Sequence, residues 1–86
     1  MNTAQRKDEP KIRATKVWFE ADFICLQLTD GREVKTPLSF YPRLMNATEQ
    51  QRLKFALSNG GYGIHWEELD EDLTTEGIAL GKKAVF

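Results

Sequence analysis

The chain has 86 residues, of which 41% are hydrophobic, and this length is typical of one domain with a small core. Twelve Lys and Arg residues against thirteen Asp and Glu residues give a formal net charge of −1, which excludes the strongly basic surface that binds nucleic acid or anionic membranes without specificity. No stretch approaches the roughly 18 to 20 apolar residues of a membrane span, and the N-terminal residues lack the apolar segment of a secretion signal.

The N-terminal part of the chain is predicted to be an arm that precedes the domain. Residues 1–10 are polar, mixed in charge and closed by Pro10, a pattern that favours a flexible arm over a core element. Residues 11–20 are rich in β-branched and aromatic side chains, which is typical of a strand. We therefore expect a single domain over residues 11–86 that begins with a β-strand.

A second strand is predicted at residues 23–29, after a turn at residues 20–22. Its apolar residues alternate along the chain, and three of them share one face: Ile24, Leu26 and Leu28. Cys25 lies on the other face and, as the single cysteine, cannot form an intramolecular disulfide. We expect a small buried thiol in a reducing compartment, and hence a cytoplasmic protein.

The Asp-Gly pair at 30–31 predicts a β-hairpin, and the phase of the apolar residues selects the loop. A two-residue loop would place Leu26 opposite Lys35, which mixes apolar and charged side chains on one face. A three-residue loop that also includes Thr29, with the glycine in the left-handed conformation, places Leu26 opposite Val34 instead. The second register is the one we predict.

The chain after the hairpin is predicted to cross the sheet and then form a helix. Pro37 ends the third strand because proline cannot donate to a ladder. Residues 38–47 then form an irregular crossing segment with three anchors: Phe40, Tyr41 and Leu44. Thr48 followed by Gln51 is a capping-box pattern, which predicts a helix over residues 49–58. That helix is expected to bury three residues: Leu53, Ala56 and Leu57.

The remaining residues predict two short elements. The Asn-Gly-Gly sequence at 59–61 ends the helix, residues 62–66 form a short strand, and residues 75–80 form a helical turn that Gly81 ends. The predicted fold class is α+β: an antiparallel three-stranded meander with one central helix, a short fourth strand and a short C-terminal helical turn.

Two glycine-rich stretches superficially resemble phosphate-binding loops. Residues 60–63 follow a predicted helix and lead into a strand, the reverse of the strand-to-helix order of a dinucleotide fingerprint. Residues 77–83 have three residues between the glycines, and Lys83 stands where a P-loop needs Ser or Thr. Neither stretch predicts a phosphate site, and we expect no cofactor.

The stretch at residues 63–73 holds the single histidine and an acidic run. One Cys and one His, far apart in sequence, do not form a zinc site, and the acidic run lacks the alternating oxygen ligands and glycine of a calcium loop. His65 has no accompanying nucleophile motif, so we expect no metal and no catalytic residue. We expect instead that some of the carboxylates pair with Arg32, Arg43 or Arg52, and the acidic candidates for these ion pairs are Asp70, Glu71 and Asp72.

Four segments in this order resemble a small bacterial family known as domain of unknown function 2442: DGREVKTPLSFYPRL, ATEQQRL, GGYGIHWEELDEDL and EGIALG. The resemblance covers residues 12–82. The positions that match are Asp30, Gly31, Arg32, Pro37, Leu38, Pro42, Arg43, Leu44, Arg52, Trp66, Leu69, Asp70, Glu71 and Asp72. One departure is Glu67, where many relatives have a proline.

The resemblance implies a compact α+β domain and no known catalytic activity, so we expect that the protein is not an enzyme. Some relatives carry a helix-turn-helix domain after this one. Because the sequence ends at Phe86, which leaves no room for such a domain, we expect no DNA binding by this chain alone. Other relatives are encoded beside a protein of the domain of unknown function 4160 family, as proposed antitoxin and toxin.

The leading functional hypothesis is a protein-binding module, and the resemblance implies the antitoxin of a toxin-antitoxin pair whose partner is a small toxin encoded by a neighbouring gene. The edges of the predicted hairpin are able to accept a strand. Four residues are candidates for the interaction: Trp18, Tyr41, His65 and Trp66. The alternative is a ligand- or metal-sensing domain detached from a transcriptional regulator, which the acidic run beside His65 suggests.

Overall fold

A computed structural model describes residues 12–84, which form two antiparallel three-stranded sheets. The first sheet has the order β1-β2-β3, with β1 at Ala14–Glu20, β2 at Phe23–Leu28 and β3 at Glu33–Pro37. The second has the order β4-β5-β6, with β4 at Ala56–Ser58, β5 at Gly63–Trp66 and β6 at Glu71–Thr74. The short helices are α1 at Pro42–Met45, α2 at Glu49–Arg52 and α3 at Thr75–Ala79, with 3₁₀ turns at Leu38–Phe40 and Asn59–Gly61.

This architecture confirms the α+β class, and the first sheet is the predicted meander. The predicted arm at residues 1–10 lies outside the described residues. None of the helices within residues 12–84 has the length and apolar character needed to cross a membrane.

The β2-β3 hairpin confirms the three-residue loop. Leu26 pairs with Val34, and the Leu28 N–H donates to the Arg32 carbonyl over 2.8 Å. Gly31 has a φ of 95°, the left-handed conformation that the bulge requires and that glycine adopts without steric cost. The alternation of apolar residues therefore identified the correct register.

The predicted helix over residues 49–58 is wrong beyond Arg52. The capping box at its start is present, since the Thr48 hydroxyl accepts from the Gln51 N–H at 3.1 Å. The Arg52 carbonyl, which in a longer helix would accept from the Ala56 N–H, instead accepts from the Trp66 indole at 2.9 Å. The chain then pairs with β5 as strand β4, which leaves Leu57 39% exposed.

The second sheet contains two strands that the sequence analysis did not predict, β4 and β6. In β6 the acidic residues alternate between faces, so that Glu71 is buried while Asp72 is exposed. Asp70, with a φ of 52°, makes the turn that brings β6 against β5. The sequence analysis missed this strand because the consecutive carboxylates obscured its alternation of buried and exposed residues.

The hydrophobic core joins both sheets, the crossing segment and the last helix. Its buried members are Ile24, Leu26, Leu28, Leu38, Tyr41, Leu44, Ile64, Trp66 and Ile78. Gly81, with a φ of 72°, ends α3 as predicted, and its N–H donates to the Ile78 carbonyl at 3.0 Å.

Candidate functional site

His65 lies between two carboxylates on the second sheet. Its Nδ1 is 2.7 Å from Asp72 Oδ1 and its Nε2 is 2.9 Å from Glu67 Oε1, and its side chain is 33% exposed. Hydrogen bonds to Glu67 and then to Asp72 raise the pKa of His65 above its usual value. Because both ring nitrogens are engaged, this histidine serves as an ion-paired link between neighbouring strands.

The stabilising effect of His65 is expected to depend on pH. The pKa of His65 is higher in the folded chain than in the unfolded chain, where it is about 6.5. The contribution of His65 to the unfolding free energy is therefore complete below about pH 6.5, and it is lost as the pH rises through the pKa of the folded chain. We expect the difference in unfolding free energy between the wild type and His65→Gln to be larger at acidic than at alkaline pH. Urea unfolding across this range and a direct NMR titration of His65 test this expectation, and a titration midpoint at or below about 6.5 would contradict it.

The predicted ion pairs with the acidic run form differently from the expectation. Arg32 pairs with Asp30 at 2.8 Å, and Arg52 Nη1 donates to two backbone carbonyls, those of Leu44 and Ala47, each at 2.9 Å. Of the three candidate arginines, Arg32 and Arg52 thus have acceptors outside the acidic run.

Arg43 is the arginine that reaches the acidic run. Its Nη1 donates to the backbone carbonyl of Asp70 at 2.6 Å. Burial raises the pKa of Glu71, and the nearby charge of Arg43 opposes this shift only in part. Glu71 Oε2 is buried without a hydrogen-bond partner. Within residues 12–84, no group of three or more His, Cys, Asp or Glu side chains has an arrangement that could hold a metal ion.

The four interaction candidates divide into two buried and two accessible residues. Tyr41 is 2% exposed and donates its hydroxyl to the Lys82 carbonyl at 3.0 Å, so a partner cannot reach this candidate. Burial raises its pKa to about 12. Trp66 is fully buried, whereas Trp18 is half-buried and donates its indole N–H to Glu20 at 2.8 Å. Trp18 and His65 are thus the two candidates that a partner can reach.

A groove with a volume of about 610 Å³ lies between the first sheet and the segment that carries Phe55 and Leu57. We refer to it as the β1 groove, which is lined by Thr15, Lys16, Val17, Trp18, Gln27, Glu33, Phe55 and Leu57. Four consecutive β1 residues contribute, and since neighbouring side chains of a strand point to opposite faces, the groove includes the edge of β1 and not one face alone. Its walls are largely apolar, with charged groups at Lys16 and Glu33.

The β1 groove is lined by residues 15–18 of β1. A separate, smaller pocket of about 130 Å³ lies near the end of β1, and its lining includes Phe19, Ala21, Arg52 and Leu53. At the opposite end the groove closes, because a Cβ built on Gly61 would lie 2.4 Å from the Ala14 carbonyl oxygen. Residues 52–61 therefore run antiparallel to β1, in contact at Gly61 and separated further along.

Phe55 and Leu57 are the groove residues that the sequence analysis missed, because it placed them in a helix. A usable signal was present: two short apolar segments flank the glycine-rich turn at 59–61, which is a hairpin pattern. Phe55 lies against Trp66, with ring centroids 6.3 Å apart, so one wall of the groove rests on the core.

The comparisons with known proteins show the same fold in proteins of unassigned function. Residues 14–84 match a family described as "Protein of unknown function (DUF2442)". The crystal structure of a protein of unknown function from Rhodospirillum rubrum is 27% identical, with a TM-score of 0.76 over 88% of this chain and 94% of that chain. The solution NMR structure of an uncharacterised protein from Chromobacterium violaceum is 24% identical and similar in fold, with a TM-score of 0.70 over 95% of this chain and 74% of the other. No match was found among curated proteins.

Proposed function

The chain belongs to the family of proteins of unknown function DUF2442, and we propose that it is a protein-binding module that uses the β1 groove. The observation that carries this proposal is the groove itself, an open and largely apolar surface lined by the edge strand β1, by Phe55 and Leu57 opposite it, and by Gln27 and Glu33 of the neighbouring strands. Open apolar surfaces rimmed by polar groups are typical of protein interaction sites.

The exposed hydrophobic residues support this location. Leu53 is 56% exposed and Leu57 39% exposed, and both lie on the wall that faces β1. Trp18 contributes an aromatic side chain, the residue type most often found at energetically dominant positions of interfaces. Burying this wall against a partner would remove apolar surface from water, which favours association.

The chemically reactive side chains support binding over catalysis. Cys25 is fully buried, and burial raises the pKa of its thiol, which disfavours the thiolate needed for nucleophilic attack. His65 has both ring nitrogens bound to carboxylates. The family resemblance adds a partner class, a small toxin protein encoded by a neighbouring gene, for which this chain would be the antitoxin.

A comparison of two leucine variants tests the proposal. The tagged wild type, Leu57→Lys and Leu80→Lys are each purified from native cells, and proteins that co-elute at stoichiometric level are identified by mass spectrometry. Leu80 is the matched control because it is 59% exposed and lies outside the groove. We expect the wild type and Leu80→Lys to retain the same small protein, and Leu57→Lys to bind it at least about tenfold more weakly.

The same experiment defines the contrary results. Circular dichroism melts of the three proteins establish that each is folded. If the wild type elutes alone, or if the purified partner binds Leu57→Lys as tightly as it binds the wild type, the β1 groove is not a protein-binding site. Recovery of one small protein encoded next to this gene would agree with the antitoxin role.

A further inference from the structure

The side of β1 that borders the groove carries unpaired backbone groups. The Leu28 N–H donates to the carbonyl of Arg32, the residue before β3, and because alternate residues of an antiparallel strand bond to opposite neighbours, Ile24 and Leu26 also bond towards β3. Val17 lies opposite Leu26, and Phe19 lies opposite Ile24. The N–H and C=O groups of Val17 and Phe19 therefore point away from β2.

No strand within residues 12–84 pairs with that side of β1, which is the last strand of its sheet. An exposed row of backbone donors and acceptors is a template for another extended chain. Only an extended backbone supplies donors and acceptors at the same spacing, about 6.6 Å between residues of one edge. The unpaired backbone groups of β1 therefore favour a partner segment in the extended conformation.

We propose that the β1 groove binds an extended segment of the partner protein, which pairs with β1 as an additional strand. This inference rests on the proposed function, since it names the element that the groove recognises. β1 has seven residues that rise about 3.3 Å each, so its backbone is long enough to pair with an extended segment of five to seven residues. Residues Phe55 and Leu57 form the apolar wall that its inward side chains contact.

The pattern of the recognised segment follows from this geometry. Successive side chains of a strand point to opposite faces, so apolar residues at alternate positions face the wall and the residues between them face solvent. Polar residues suit the outer positions, because Lys16 and Glu33 contribute charges of both signs to the lining of the groove. The partner segment is therefore an alternating apolar and polar strand without proline at its pairing positions.

Amide hydrogen exchange in the full-length chain tests the pairing directly. The first probe is a capped nine-residue peptide in which valine alternates with serine between terminal lysines, and its control carries proline in place of every serine. The second probe is the protein that co-purifies with the wild type. We expect the first peptide and the partner to slow exchange at Val17 and Phe19 by at least about tenfold, and the proline peptide to leave it unchanged.

Two variants at one position separate backbone from side-chain binding. Val17→Pro removes the outward N–H while keeping the β1-β2 bonds, because proline is tolerated where the N–H of an edge strand faces away from the sheet. Val17→Thr retains that N–H. We expect Val17→Pro to weaken partner binding at least about tenfold more than Val17→Thr does. The exchange measurement on the wild type keeps the test decisive if the proline variant does not fold.

The outcomes distinguish this inference from the function on which it rests. Partner binding that depends on Leu57 but leaves exchange at Val17 and Phe19 unchanged would overturn strand addition and leave the protein-binding function standing. Failure of the alternating peptide to bind at millimolar concentration would also count against strand addition. If Leu57→Lys leaves partner binding unchanged, or if no partner is found, the proposed protein-binding function is itself contradicted.

Discussion

Gly61→Ala is expected to destabilise the domain by roughly 3 to 5 kcal/mol, because it combines backbone strain with a steric overlap. Gly61 has a φ of 101°, which side chains with a Cβ rarely adopt, and its Cβ would lie 2.4 Å from the Ala14 carbonyl oxygen. The atoms that would have to move belong to the backbone of β1, so no side-chain rotation relieves the overlap. Urea unfolding followed by far-ultraviolet circular dichroism measures the loss.

Gly31→Ala is the matched control for this substitution. Gly31 has a similar φ of 95°, but a Cβ there would meet no atom within 4 Å. Its cost should therefore be the strain alone, about 1 to 3 kcal/mol. Equal losses for the two variants would show that the overlap with Ala14 adds nothing to the cost of Gly61→Ala.

Trp66→Ala is the second substitution with a large expected effect, a loss of about 3 to 5 kcal/mol. Trp66 is fully buried in the core that joins both sheets, and its indole N–H donates to the Arg52 carbonyl at 2.9 Å. The substitution removes the largest core side chain and leaves that carbonyl without its donor. A domain of this length has a total stability of only about 4 to 13 kcal/mol, so this loss is a large fraction of the total.

Trp18→Ala provides the comparison for Trp66→Ala, since it removes the same side chain from a half-buried position on the edge strand. Its hydrogen bond to Glu20 lies at the surface. We expect a loss of about 1 kcal/mol, the typical effect of a single substitution outside the core. The same urea titrations report both variants, and a larger loss for Trp18→Ala would mean that the assignment of the core to Trp66 is wrong.

These two positions also determine the shape of the β1 groove. Gly61 brings the turn after β4 against the start of β1, which closes one end of the groove. The Trp66 indole is hydrogen-bonded to the Arg52 carbonyl at the end of α2. This bond holds the start of the segment that carries Leu53 and Phe55. A conservative Trp66→Phe variant, which keeps the ring and loses the N–H, is therefore the substitution best suited to loosen the groove wall while preserving much of the core.

The features that the sequence alone determined are those governed by neighbouring residues. The alternation of Leu26 and Val34 identified the hairpin register, and Thr48 with Gln51 identified the start of α2. Gly81 marked the end of α3. Each of these signals involves only a few neighbouring residues, either the period-two alternation of a strand or a cap on an exposed backbone group. Such signals can therefore be recognised from the sequence alone.

The features that only the tertiary structure decided depend on partners far along the chain. Ala56–Ser58 forms a strand and not a helix because of Trp66, which lies fourteen residues after Arg52. The Trp66 indole donates to the Arg52 carbonyl, the acceptor that a longer helix would need. Tyr41 was buried by its contact with Lys82, and the β1 groove exists because two edge strands from different sheets face each other without pairing. Short strands have weak intrinsic preferences, so their partners in space, and not their own residues, determine what they form.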